Sequence, residues 1–196
     1  MKTTVCKILL ALIPCLSSGQ VTYEFGGKGD IFDNQTQVTV TIPNPDDANS
    51  ILMNVGAEGG TFNSNAGDFG IGDDLLDGTT EVILISFDRS VDITALDFGG
   101  ITDADDAAHI QANTTPPLDL NLFTGIADFQ GTQDIYTPST PIRLEAGQIL
   151  RINGASLSAS FDLESISFNV IPEVSAQNIS TGATALTLVM MARFFR

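Results

Sequence analysis

Strict alternation is the feature that most limits what this chain can fold into. In Gln37-Val38-Thr39-Val40-Thr41-Ile42, polar and apolar side chains exchange places at every residue. That period of two belongs to a strand with one face in a core and the other in water. Pro43-Asn44-Pro45-Asp46-Asp47 then supplies turn residues. Glu81-Val82-Ile83-Leu84-Ile85-Ser86-Phe87 is different, a continuous apolar run of strand length. A strand covered on both faces reads this way.

Strand patterns recur along most of the chain. Residues 51–55 predict a second strand. Asp88-Arg89-Ser90 predicts a turn, with residues 81–87 and a strand starting at Val91 joined as a hairpin. In that next strand Val91 and Ile93 are in phase, and Leu96 and Phe98 follow with the phase shifted. Leu118, Leu120 and Leu122 alternate again, and Ile142 and Leu144 precede the turn Glu145-Ala146-Gly147 and a strand over 148–152. In the last strand, Phe161, Leu163, Ser165 and Ser167 predict one face, and Ile166, Phe168 and Val170 the other. Residues 56–72, rich in Gly and Asn, read as loop, and residues 103–111 as a turn or two of helix. No stretch of about 11 residues in the body keeps a helical period. The expectation is an all-β fold, a single antiparallel β-sandwich of jelly-roll type. An up-and-down barrel is the alternative.

The ends differ from the body. Lys2 and Lys7 precede an apolar run through Leu16, and Ser17-Ser18-Gly19 provides small residues. Residues 1–19 therefore read as a signal peptide, expected to form a helix, with cleavage between Gly19 and Gln20 by signal peptidase. The run is too short for a span of ~20 residues. Residues 20–171 read as the sandwich and residues 172–196 as a sorting tail ending in a short apolar helix. Three features carry a resemblance: Val170-Ile171-Pro172-Glu173-Val174-Ser175, the apolar stretch 182–192, and the basic Arg193 and Arg196. With the signal peptide and the acidic Gly-rich body, they make the chain resemble bacterial PEP-CTERM proteins. The resemblance implies export, transient membrane contact through the tail, and processing near Pro172 and Glu173 by an exosortase-type enzyme. A glycosylphosphatidylinositol signal is the rival reading of the same tail.

Charge narrows the partners. The 196 residues hold 8 Lys and Arg against 24 Asp and Glu, a net charge of −16. From Gln20 to Glu173 four cations (Lys28, Arg89, Arg143 and Arg151) face all 24 acids, a formal −20. Nucleic acid is excluded as a partner, because binding it means neutralising phosphates with cations. Solubility through repulsion, life in salt, or divalent cations would each explain the acid. Cys6 and Cys15 are the only cysteines, so a processed chain would have no thiol and no disulfide. A body of about 150 residues is large enough to need none.

Catalytic motifs are scarce. His109 is the only histidine, so zinc ligation by several imidazoles is excluded. No Gly-x-Ser-x-Gly elbow accompanies it. Asp68, Asp73, Asp74, Asp77 and Glu81 lie among glycines, and Asp103, Asp105 and Asp106 form a second acidic group. Oxygen ligands in a Gly-rich loop suit Ca²⁺. The expectation is one weak structural Ca²⁺ at Asp73, Asp74, Asp77 and Glu81, with no other cofactor. The chain has no Trp and two Tyr, so sugar stacking on aromatic rings is not the expected mode of binding. The functional expectation is an exported, non-catalytic cell-surface or extracellular-matrix protein associated with extracellular polysaccharide. A secreted lectin-like or glycan-hydrolysing protein is the alternative.

Overall fold

The computed structural model describes residues 19–45, 49–64, 68–73, 75–101, 106–123, 126, 128–130 and 134–172. The expected signal helix, the tail helix, and Asp74, Glu173, Arg193 and Arg196 lie outside these residues. The chain runs through β1 (Gln20–Glu24), α1 (Gly29–Phe32), β2 (Gln37–Ile42), β3 (Ile51–Glu58), β4 (Phe62–Ser64) and β5 (Phe69–Ile71). It continues through β6 (Leu76–Asp77), β7 (Val82–Phe87), β8 (Val91–Gly99), β9 (Ala108–Ala112) and β10 (Leu118–Leu122). The remaining strands are β11 (Phe129–Gln130), β12 (Ile135–Tyr136), β13 (Ile142–Leu144), β14 (Ile149–Gly154) and β15 (Ser160–Val170).

Two antiparallel sheets form the sandwich. One has the order β1-β15-β8-β12-β11, with β13 also on β8 and β6 on β15. The other has the order β10-β9-β14-β7-β3-β2. A barrel is thereby ruled out. The alternation in β2 works as expected: Val40 and Ile42 are buried while Thr39 and Thr41 face out. Phe87 of one sheet meets Phe168 of the other with ring centroids 4.7 Å apart, so the inner faces share one core.

The expected hairpin between β7 and β8 does not form. β7 pairs with β3 and β14, whereas β8 pairs with β15, β12 and β13. The turn at 88–90 carries the chain from one sheet to the other. Asp88 stays with the first: its Oδ1 accepts from the Leu52 N–H at 2.9 Å, and its own N–H donates to Leu52 O at 3.0 Å. Ser90 already belongs to the second, where its carbonyl accepts from Ile171 N–H at 3.0 Å. The continuous apolar run of β7 does not mark a strand covered on both faces: Ile83, Ile85 and Phe87 are buried, whereas Leu84 and Ser86 are half-buried on the outer face.

Two bulges correct the face assignments. The β15–β8 register slips at Glu164, and again where Ser167 pairs with Ala95 and Phe168 with Ile93. The slip at Thr94 is the phase shift expected in β8. The slip at Glu164 places Phe161, Leu163, Ile166, Phe168 and Val170 all in the core. The single-face grouping of Phe161 and Leu163 with Ser165 and Ser167 is thus overturned.

Residues 56–72 are more than loop, for β4 and β5 pair there as a two-stranded ribbon. Phe25, Phe32, Phe62 and Phe69 close one end of the sandwich, with Phe25 on Phe69 at 4.9 Å and Phe62 on Phe69 at 5.1 Å. The helix expected over 103–111 is also overturned over residues 108–111, which belong to β9, paired with both β10 and β14. Ala108, Ile110 and Ala112 are buried there, and the alternation wins.

Candidate functional site

The outer face of the six-stranded sheet carries a groove of about 670 Å³. Register puts Asp119 opposite Gln111, Gln111 opposite Arg151, and Arg151 opposite Leu84. Leu84 in turn faces Gly56, whose missing side chain leaves the neighbouring surface to Leu84 alone. Leu84, Leu118 and Ile149 supply an aliphatic floor between the polar groups. A second depression of about 430 Å³ adjoins it, sharing Pro117, Leu118 and Gln148 and reaching Arg143. Gln148 is fixed between them: its amide donates to Asn113 O at 2.8 Å and its Oε1 accepts from Glu145 N–H at 2.8 Å.

Each carboxylate in this groove is committed. Arg151 donates to both oxygens of Glu58, at 2.9 and 3.3 Å, and that hydrogen bonding holds the Glu58 carboxyl below its usual range. His109 Nε2 lies 2.8 Å from Asp119 Oδ1, and Gln111 donates to Asp119 Oδ2 at 3.4 Å. Hydrogen bonds from His109 and then Gln111 likewise lower the Asp119 carboxyl. His109, with Gln111, orients Asp119. The groove therefore offers paired donors and acceptors above an apolar floor. Glu58 and Asp119 are both lowered, the opposite of the raised carboxyl that serves as acid in glycoside hydrolysis.

Acids with raised pKa values lie on the other sheet. Asp162 is 4% exposed, and its Oδ2 has no hydrogen-bond partner among the described residues. Burial, then the charges of Asp68 and Glu164, push its carboxyl up to about 7, against the pull of backbone N–H groups including that of Phe69. Burial, then Glu164, Glu24 and Asp134, push Asp97 up to about 6. Glu164 and Asp134 are raised too, in both cases mainly by burial. Glu24, Asp68, Asp97, Asp134, Asp162 and Glu164 form a cluster in which the carboxylate charges act on one another. A Cβ at Gly99 would fall on the Asp162 carboxylate, so glycine is what admits that group.

The expected calcium ligands are arranged differently. Glu81 Oε2 accepts from the Asp77 backbone N–H at 2.7 Å, closing the turn between β6 and β7. Burial, with smaller contributions from Asp77 and Asp73, raises the Glu81 carboxyl. Asp73 and Asp77 are exposed. Among the described residues, no three His, Cys, Asp or Glu side chains are placed to hold a metal ion. Of the expected processing residues, Gly19 and Gln20 lead into β1, and Pro172 stands exposed two residues past β15. Among the described residues no helix is long and apolar enough to cross a membrane.

Neither the groove nor the buried cluster was read from the sequence. Arg151 and Glu58 are 93 residues apart, and only their shared outward phase links them. Asp162 did leave a signal, a lone acid between Phe161 and Leu163 in an apolar strand. No protein-family model matches the chain, no curated protein matches it, and no solved structure matches it.

Proposed function

We propose that this chain is an exported, non-catalytic cell-surface or extracellular-matrix protein, delivered by a PEP-CTERM-like tail and held to extracellular polysaccharide through the outer groove. One observation carries the binding half of this reading: the groove pairs an aliphatic floor with ionised carboxylates locked to Arg151, His109 and Gln111. Sugar rings present C–H faces and hydroxyls together, and this lining meets both without an aromatic platform. The locked, low-pKa carboxylates favour binding over hydrolysis. The delivery half rests on the residue patterns at the two ends.

Affinity electrophoresis through gels cast with acidic and neutral polysaccharides tests the binding. The wild-type chain is expected to be retarded in at least one gel, the Gln111→Ala/Arg151→Ala variant less so, and no new reducing ends should appear. Equal mobility of both proteins in every gel sinks the groove assignment, and released reducing ends sink the non-catalytic one. Calcium at Asp73, Asp74, Asp77 and Glu81 stands as a separate proposal. Millimolar CaCl₂ must then raise the melting temperature relative to EDTA, and superimposable curves remove it.

A further inference from the structure

The two expected processing points are neighbours in the fold. β1 and β15 are antiparallel partners, with Gln20 opposite Asn169. Asn169 is opposite Asp92 on the far side, and Ile171 is tied to Ser90 by its N–H. Gly19 and Pro172, the first and last described residues, therefore both stand at the pole formed by Gln20, Ser90 and Asn169.

Charge is divided along the same axis. At this pole Arg89 and Arg143 stand with Asp88, Asp92 and Glu145: the Arg143 guanidinium donates to both oxygens of Asp92, and Glu145 accepts from the Ser90 hydroxyl. The carboxylate cluster sits toward the other end. Glu24 is the far end of β1, and Asp162 is seven residues up β15 from Asn169, roughly 24 Å at ~3.4 Å per residue. Asp77 pairs with Ser160 beyond it. At about 0.15 M salt the screening length is ~8 Å, so Asp162 lies some three screening lengths from anything touching the first pole. An anionic lipid surface would be strongly repelled by the cluster and only weakly by this pole, where two arginines offset most of the charge of three carboxylates.

We propose that, while a terminal segment holds the chain at a membrane, the sandwich stands on the lipid by the pole of Gln20, Ser90 and Asn169, with its carboxylate cluster turned outward. The inference rests on reading both termini as membrane-directed. It adds an orientation that those termini alone do not specify, because strand pairing decides which pole they share.

The chain has no cysteine beyond residue 19, so single reporters are simple to place. The full chain carrying Cys6→Ser and Cys15→Ser receives Ser90→Cys, Asp88→Cys or Asp68→Cys, each labelled with bimane. It is bound to vesicles of phosphatidylcholine and phosphatidylglycerol containing a headgroup nitroxide lipid. Quenching at Ser90→Cys and Asp88→Cys is expected to exceed that at Asp68→Cys severalfold. Flotation with the vesicles but equal or reversed quenching overturns the orientation and leaves the reading of the termini intact. Failure to float overturns that reading, and the orientation with it.

Discussion

Asp162 shows how one side chain sets a pH dependence for the whole fold. Its carboxyl titrates at about 7 in the folded chain against an ordinary 3.8. Between those values the folded state keeps a proton that the unfolded state has lost. Stability therefore falls as pH rises through this window and levels off above it. Asp97, at about 6, adds a smaller fall in the lower part of the same window. Asp162→Asn removes the ionisation and keeps an acceptor for the Phe69 N–H, but leaves amide donors unmatched. A net gain of about 1–2 kcal/mol at pH 8, shrinking toward zero near pH 4, is expected from these opposing terms. Urea unfolding across that range measures it, and a variant with the wild-type slope would contradict the assignment. Gly99→Ala attacks the same contact from the other side. Its methyl would collide with the carboxylate, and about 1–3 kcal/mol of destabilisation is expected. Adding Asp162→Gly should recover part of that loss in a double-mutant cycle.

At the level of elements, the four-phenylalanine end cap is held by few covalent neighbours and much packing. Phe69 is fully buried and touches Phe25, Phe32 and Phe62. Ser64 stitches the cap to β1, its Oγ donating to Phe25 O at 3.1 Å while its N–H donates to Asp33 Oδ1 at 2.8 Å. Phe69→Ala should cost about 3–5 kcal/mol in chemical denaturation. Loosening β5 would also weaken the Phe69 N–H that pulls the Asp162 carboxyl down, so the same variant should steepen the pH slope. The sequence of this region reads as loop because its strands are only three residues long, too short for alternation to register. The longer strands were legible: β2, β3, β7, β10 and β14 fall where residue period placed them, within a few residues. What period cannot carry is partnership. It located β7 and β8 but joined them to each other, since nothing local distinguishes a hairpin turn from a crossing between sheets. It carried one bulge, as the phase shift in β8, but not the one at Glu164, which changes which side chains of β15 enter the core. The outer groove was hidden for the same reason, as its residues meet only through the strand order β10-β9-β14-β7-β3.

Across the whole molecule, a net charge of −16 works against compaction, and the strand order concentrates much of that repulsion at one pole. Glu24, Asp68, Asp97, Asp134, Asp162 and Glu164 come from five separate stretches of chain, and folding brings them together. The unfolded chain keeps them apart, so the repulsion falls mainly on the folded state. Salt should relieve it. Raising ionic strength from about 0.01 M to 0.15 M shortens the screening length from ~30 Å to ~8 Å, less than the reach across the cluster. Melting temperature at pH 8 is expected to rise over that range, and to rise less in an Asp68→Asn/Glu164→Gln variant, where two of the interacting charges are gone. At pH 5 the difference between the two proteins should narrow, because Asp162 and Asp97 are then largely protonated when folded. NaCl and CaCl₂ at matched ionic strength separate screening from ligation. Equal shifts mean that only the ion atmosphere is at work, whereas a larger shift with calcium that Glu81→Gln abolishes would place a bound ion at the β6–β7 turn. A wild-type melting temperature indifferent to salt would mean that the cluster's charges do not repel one another appreciably in the folded chain, and the raised values at Asp97 and Asp162 would then rest on burial alone.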